Sequence, residues 1–391
     1  LPFDHPVYIV YTSGTTGIPK VIVHGAGGTL LQHFKELALH SDLKRESRLY
    51  YVTTCGWILW NWMTSALMLG ATVVLRDGSP LYPKADSLFQ LISHQGITHF
   101  GTSARYITTL QKLSLRPREK FNLRTLTTLM YGGSALFEEG YEFVYRDIKS
   151  DIMISSMPGG TEILSCFALG NPLSPVFSGE IQGWGLGMKC EVFDESGNSV
   201  VGKKGELVCT ASFPCQPIYF WDDSDFIKYR EAYFNVFPGV WRHGDYAEIT
   251  ERNTIIVHGR SDATLKPGGV RIGTAEIYRQ LEFMPEIEDS VVVGQPWDGD
   301  ERIILFVKLV PGANFSPELV KEIKTNIRRN CTPVHVPAKI IPVKDIPQTI
   351  NGKKVELAVK RVIENKEVPN REALANPESL EFYKNLPELT Y

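Results

Sequence analysis

Tyr11-Thr-Ser-Gly-Thr-Thr-Gly-Ile-Pro-Lys20 follows directly on an apolar run at 7–11 that reads as a strand. Gly14 and Gly17 let the backbone turn tightly and bring N–H groups toward an anion. Thr12, Ser13, Thr15 and Thr16 add hydroxyl donors, and Lys20 adds a point charge. A plain polar turn between a strand and a helix needs neither that hydroxyl density nor both glycines. The stretch therefore reads as a phosphate-binding loop. It lacks the G-x-x-x-x-G-K-[ST] pattern, which argues against a P-loop kinase.

Working outward, residues 1–190 alternate short apolar runs with helical stretches. Runs at 7–11, 48–53, 71–75, 99–101, 127–131 and 151–155 read as buried strands, and 30–40, 87–94 and 104–113 as helices between them. That succession predicts a mostly parallel sheet, with strands such as 7–11 and 71–75 apolar on both faces. From 179 to 257 the pattern shifts to strands at 188–194, 205–210, 247–249 and 254–257, with turns at Gly197-Asn198 and Arg252-Asn253. This section reads as antiparallel or barrel-like. Beyond it, helices at 274–282 and 317–330 and strands at 287–293, 303–309 and 339–343 form a smaller α+β unit. The expected fold class is α/β: a large domain at 1–261 and a smaller C-terminal α+β domain at 262–391.

Composition bounds the function. Apolar residues make up 43% and charged residues 22% of the 391, as in an ordinary globular protein. A net charge of −3 gives no basic excess for nucleic acid or an anionic membrane. The six cysteines lack metal-ligand spacing and read as free thiols in a reducing compartment, the cytosol. The uncharged stretch 53–75 is long enough to span a bilayer, but Asn61, Ser65 and Gly70 interrupt it. It reads as a buried helix at 57–69 and a strand at 71–75, so a soluble protein is expected. Residues 1–6 lack a basic segment followed by an apolar one, so a signal peptide is not expected there. A parallel-sheet protein that reaches a functional loop this early is expected to be a piece of a longer one.

The loop is similar to the phosphate loop of the acyl-adenylate-forming enzymes, and further motifs of that family follow in order. Gly160-Thr161-Glu162 resembles the G-x-T-E element, which implies that Thr161 touches the α-phosphate and Glu162 holds Mg²⁺. Read alone, Glu162 serves equally as a carboxylate at a helix N-terminus. Trp241-Arg-His-Gly-Asp245 resembles the segment whose Asp grips the ribose hydroxyls. Gly259-Arg-Ser-Asp262 resembles the interdomain hinge, with Arg260 reaching ATP and Asp262 absorbing the rotation. Gly268-Gly269-Val270-Arg271 resembles the loop lining the coenzyme A tunnel, where Gly268 and Gly269 let pantetheine pass and Arg271 meets a phosphate. Thr349-Ile-Asn-Gly-Lys353 resembles the motif carrying the adenylation lysine, and Lys353 is preferred to Lys354 because the family's lysine follows the glycine. The resemblance also implies Ser134, Ala135 and Met157 at the AMP site.

Within that family the chain is most similar to the acetoacetyl-CoA synthetase branch. The stretches carrying this likeness are His24-Gly-Ala-Gly-Gly-Thr-Leu, Gly56-Trp-Ile-Leu-Trp-Asn-Trp-Met63, Pro214-Cys-Gln-Pro217, Asn376-Pro-Glu-Ser-Leu and Leu386-Pro-Glu-Leu389. Acetyl-CoA synthetases carry bulky tryptophans just before T-E, where Pro158 and Gly159 stand here. Removing an indole opens roughly 100 Å³, ample for one more acetyl unit. Gly159, Gly160 and Trp57 are thus assigned to the acyl pocket. Trp60 and Trp62 are further wall candidates, although at least one of the three tryptophans reads as plain helix core.

What the resemblance implies is a two-step acid–thiol ligase that feeds ketone-body carbon into lipid synthesis. Acetoacetate attacks the α-phosphorus of ATP, and the smaller domain then rotates so that the coenzyme A thiol displaces AMP. Neither step needs a covalent enzyme intermediate. His243 and His258 read as packing or hydrogen-bonding residues. Two other readings stay open: a synthetase for another short or medium acid, and a non-catalytic binding chain. The oligomeric state is not legible.

Overall fold

Strands Thr72–Val73, Arg48–Tyr51, His99–Ser103, Thr128–Gly132 and Met153–Ser156 lie side by side in that order, every neighbouring pair parallel. The computed structural model describes residues 1–12, 20–350 and 352–390. Alternate residues of each strand face opposite ways. Tyr50, Phe100, Leu129, Tyr131 and Ile154 pack under helices Ser87–Gln95, Ala104–Lys112 and Glu138–Phe143. Leu49, Tyr51 and Met130 pack on the other face against Leu37, Trp62, Met63 and Ala66. Local signals set the helix ends: Ser103 Oγ accepts from Tyr106 N at 3.2 Å, and Gly96, at φ +60°, ends Ser87–Gln95.

The first strand departs from expectation. Pro6–Tyr11 does not join the parallel sheet; it pairs antiparallel with Val21–Gly25, in register Tyr11↔Val21, and Val21–Gly25 pairs in turn with Tyr219–Phe220. Nor is it buried on both faces, since Val7, Ile9 and Tyr11 are 45%, 47% and 64% exposed. Thr72–Val73 is likewise an edge, with Leu75 exposed. An apolar run has the same composition in a hairpin as in a parallel sheet, and its periodicity cannot distinguish them.

A third sheet has the order Cys190–Phe193, Lys204–Cys209, Trp241–Ile249, Ile255–Arg260, its first pair antiparallel. Gly197 at φ +81° and Asn253 at φ +61° occupy the expected turns. The associated core centres on Trp241, which stacks on Tyr233 with ring centroids 3.6 Å apart. All six cysteines are free. No helix of the described residues is long and apolar enough to cross a membrane.

Contacts divide the chain into two compact units. The first holds the elements up to His243 and 247–257; the second holds 244–246 and His258 onward. In the second, Ile287–Trp297 and Asp300–Leu309 form a long antiparallel hairpin, and Lys339–Pro342 adds a parallel strand. The hairpin turns at Asp298-Gly299, both with positive φ (49° and 75°), a dipeptide that suits this turn. These strands run further than 287–293 and 303–309. Helix Pro317–Asn330 begins at Ser316, whose Oγ accepts from Leu319 N at 3.2 Å. Two apolar clusters, around Phe306–Tyr383 and around Leu305–Ile323, fill this unit.

Candidate adenylate site

In an open parallel sheet, ligands collect at the carboxyl ends of the strands, where loops diverge. Neighbouring strands Thr128–Gly132 and Met153–Ser156 run in the same direction. The loops leaving them bring Ser134 and Ala135 to the same edge as the stretch 157–162. Ser134 and Ala135 are exposed, whereas Met157 is buried and donates its N–H to Tyr131 O at 2.9 Å. Trp57 leaves the carboxyl end of Arg48–Tyr51 and opens helix Ile58–Thr64 half-buried. Trp62 is 1% exposed and is core.

After Met157 the chain makes a tight antiparallel turn, Gly159–Gly160 pairing with Ser165–Cys166, with Thr161 and Glu162 half-buried near its tip. Gly159 is required here for close approach: a Cβ would stand 1.8 Å from Ser165 O and 2.9 Å from Cys166 Cα. A larger side chain therefore has no room, which corrects the idea that this glycine merely vacates an indole's volume. At Gly160 a Cβ would meet Glu162 Oε2 at 2.6 Å and the His243 ring at 3.5 Å. The missing side chain thus gives Glu162 its seat beside His243. His243 is buried and sits edge-on to Phe167, with ring centroids 4.8 Å apart.

A set of residues that the sequence reading did not assign to the site lies behind this turn. His24, Gln32, His33 and Glu36 are buried and hydrogen-bond to residues of the 161–166 backbone or its side chains. Burial lowers the pKa of His24 and of His33 to about 4, keeping both rings neutral. Burial raises that of Glu36 above the usual carboxylate range. The available signal was a group of polar residues on the inward side of an otherwise apolar helix.

The second unit carries the other group. Arg260 Nη1 lies 3.2 Å from Asp245 Oδ1 and its Nε 3.7 Å from Asp262 Oδ1. Gly244, at φ +86°, lets the guanidinium lie close, since a Cβ there would be 3.0 Å from Arg260 Nη2. Arg271 donates to Thr264 Oγ1 and Ser261 O, both at 3.0 Å, and stacks over Tyr246 at 4.4 Å. Gly268 and Gly269 both have positive φ, and Gly268 N donates to Asp300 Oδ2 at 2.8 Å. Lys354 is held by Asp289 and the Ser290 carbonyl, whereas Lys353 is exposed on the turn that Gly352 closes at φ +74°. Of the residues read from the sequence as a phosphate loop, Thr12 and Lys20 are described, and Ser13, Gly14, Thr15, Thr16 and Gly17 lie outside the described residues.

The AMP-binding enzyme family matches residues 2–213, and the AMP-binding enzyme C-terminal domain matches residues 280–353. The chain belongs to the AMP-binding enzyme family. It is 53% identical over 389 residues to the acetoacetyl-coenzyme A synthetase of Rhizobium meliloti (strain 1021), covering 100% of this chain and 60% of that protein. It is 50% identical over 391 residues to the acetoacetyl-CoA synthetase of Mus musculus, covering 100% of this chain and 58% of that protein. It superposes on the acetoacetyl-CoA synthetase structure from Streptomyces lividans with a TM-score of 0.94 at 40% identity, covering all of this chain and 60% of that one. The chain thus spans about 60% of the length of these relatives.

Proposed function

We propose that the protein containing this chain is an ATP-dependent acid–thiol ligase that converts acetoacetate to acetoacetyl-CoA. The observation carrying this reading is the unbroken likeness, at about half identity, to acetoacetyl-CoA synthetases from one end of the chain to the other.

In the first half-reaction a carboxylate oxygen attacks the α-phosphorus of ATP, pyrophosphate leaves, and acyl-AMP forms. Two anions must meet, so positive charge and hydrogen-bond donors have to be concentrated between them. Thr12, Ser13, Gly14, Thr15, Thr16, Gly17 and Lys20 hold the phosphates, Thr161 donates to the α-phosphate, and Lys353 supplies mobile positive charge. Asp245 accepts from the ribose hydroxyls beside Arg260, and Ser134, Ala135 and Met157 line the AMP site. The half-buried Glu162 carboxylate, seated over Gly160, suits a hard cation that takes its other ligands from phosphate and water. Mg²⁺ held there would neutralise phosphate charge. Trp57, Gly159 and Gly160 bound the acyl side.

In the second half-reaction the domain from 262 onward turns about Asp262, and the thiol sulfur attacks the acyl carbonyl. AMP leaves, and the thiol proton passes to solvent. Gly268 and Gly269 give pantetheine passage, and Arg271 exchanges its Ser261 and Thr264 contacts for a coenzyme A phosphate. The six free thiols support residence in the reducing cytosol.

The test is pyrophosphate release by the full-length protein with acetate, acetoacetate, butyrate and longer acids. Acetoacetate should show the highest kcat/KM and yield AMP and acetoacetyl-CoA. Preference for another acid would reassign the substrate, and no release with any acid would leave a binding chain.

A further inference from the structure

One short segment grips the backbone that carries Thr161 and Glu162. His24 Nε2 lies 3.0 Å from Thr161 O, and His33 Nε2 lies 2.8 Å from Leu164 O. Gln32 Nε2 donates to Ser165 Oγ at 2.8 Å, and Glu36 Oε1 accepts from Cys166 N at 3.2 Å. His24 is 1% exposed, and Gln32, His33 and Glu36 are each 0% exposed. They stand on strand Val21–Gly25, on helix Ala26–Phe34 and on its wider continuation Lys35–His40. There Ser41 N reaches back five residues to Glu36 O at 2.8 Å, the pitch of a π-bulge.

The internal wiring of the grip is directional. Leu164 O only accepts, so the His33 hydrogen sits on Nε2, and Nδ1 faces the Ser65 hydroxyl at 2.8 Å, whose one hydrogen is shared with Asn61 O at 2.9 Å. Glu36 also accepts from Gln32 Nε2 at 2.9 Å and from Trp62 Nε1 at 2.8 Å. Leu164 stands at φ +50°, a region unfavourable for a branched side chain, and its carbonyl is the one His33 holds. Apolar side chains of equal volume would fill this space without desolvating four polar groups. The polar set converges on one turn, and that turn carries Thr161 and Glu162, assigned above to the α-phosphate and to Mg²⁺.

We propose that His24, Gln32, His33 and Glu36 are positioning residues that hold the 161–166 turn in the shape presenting Thr161 and Glu162 to the nucleotide. The inference rests on the adenylation reading above. These side chains act through the backbone of the turn and touch no reactant.

The experiment compares His33→Ala with Trp62→Phe in the full-length protein. Both remove a hydrogen bond from the buried network, but only the first releases Leu164. His33→Ala should raise the KM for ATP in pyrophosphate exchange about tenfold, the worth of one such bond. It should also speed amide exchange across 161–166 by a similar factor. Trp62→Phe should leave both within about twofold even where its Tm falls as far. Adding Leu164→Gly to His33→Ala should recover most of the loss, because glycine holds the left-handed conformation without a tether. If His33→Ala does not fold, Gln32→Leu, which frees Ser165, is read by the same two quantities. Equal shifts in the His33 and Trp62 variants, unchanged amide exchange in a folded His33→Ala, or no rescue would each overturn the proposal. Absence of exchange activity in the wild type would fail the adenylation reading alone, since the amide-exchange comparison still scores the grip.

Discussion

Arg260 and Asp245 are joined through Nη1 and Oδ1 at 3.2 Å, and Asp245 is 8% exposed. A buried carboxylate so held keeps its second oxygen oriented, which is what gripping a vicinal diol requires. Asp245→Ala should therefore raise the KM for ATP by about ten- to a hundredfold, the worth of one or two hydrogen bonds to a charged group. The measurement is pyrophosphate exchange at varied ATP. If 2′-deoxy-ATP loses the same factor in variant and wild type, the carboxylate is not on the ribose.

Lys353 and Lys354 separate into two roles. Lys354 pairs with Asp289 and lies 4.6 Å over the Tyr278 ring, so Lys354→Ala should lower Tm and spare most adenylation. Lys353→Ala should slow adenylation by roughly 10²–10³-fold, because it removes charge where two anions meet. Thioester formation from supplied acyl-AMP should survive. Equal damage to both half-reactions would remove Lys353 from this role.

Much of this was legible in the chain. The runs at 48–53, 99–101 and 127–131 became central parallel strands, covered on both faces, and the run at 151–155 became an edge of the same sheet. The run at 7–11 has a similar composition but became an exposed hairpin strand, a difference that depends on which partner it finds rather than on its own residues. Site motifs were visible as strings of residues, but the grip of His24, Gln32, His33 and Glu36 was not. It joins positions more than 120 apart, and only packing shows that polar residues on a helix converge on one turn. Gly159 looked like empty volume because a string of letters does not show a backbone 1.8 Å from an absent Cβ.

The two glycines before Thr161 should respond differently. Gly159→Ala drives a Cβ into the Ser165 backbone, which cannot swing away, and should cost about 1–3 kcal/mol or unfold the turn. Gly160→Ala meets the far end of Glu162, which can move. That variant should keep its Tm and lose adenylation as Glu162 is displaced. Thermal unfolding and pyrophosphate exchange on both variants decide, and a stable, active Gly159→Ala would contradict the close approach.

Acid stability should report on His33. Its pKa is lowered from 6.5 to about 4 by burial, so between those values the unfolded state binds a proton that the folded state refuses. His33 therefore contributes full stability above pH 6.5, and that contribution is lost as pH falls toward 4, at up to about 1.4 kcal/mol per pH unit. Glu36, raised by burial, has the opposite slope, and His24 has the same slope as His33. Denaturant unfolding of wild type and His33→Gln cancels those shared terms. The variant should lose stability less steeply between pH 6.5 and 4; parallel curves would mean that His33 titrates normally.

The last expectation concerns residues 264–391 expressed alone. Their two apolar clusters are built from residues at 265 and beyond: Leu265, Ile277, Leu305 and Ile323 in one, Val293, Phe306, Val359 and Tyr383 in the other. The sheet joining them is closed by a local hairpin at Asp298-Gly299 and by a short parallel return through helix Pro317–Asn330. A segment with its own core and mostly local pairing folds independently and rapidly. Heat should unfold it in one cooperative transition, with near-native circular dichroism below the midpoint. The ion pair of Lys354 with Asp289 lies inside this segment, so Lys354→Ala should lower its Tm as it does in the full-length protein. A gradual, non-cooperative melt would show that the second unit depends on the first for its core, and would move the proposed boundary at 262 toward the N-terminus.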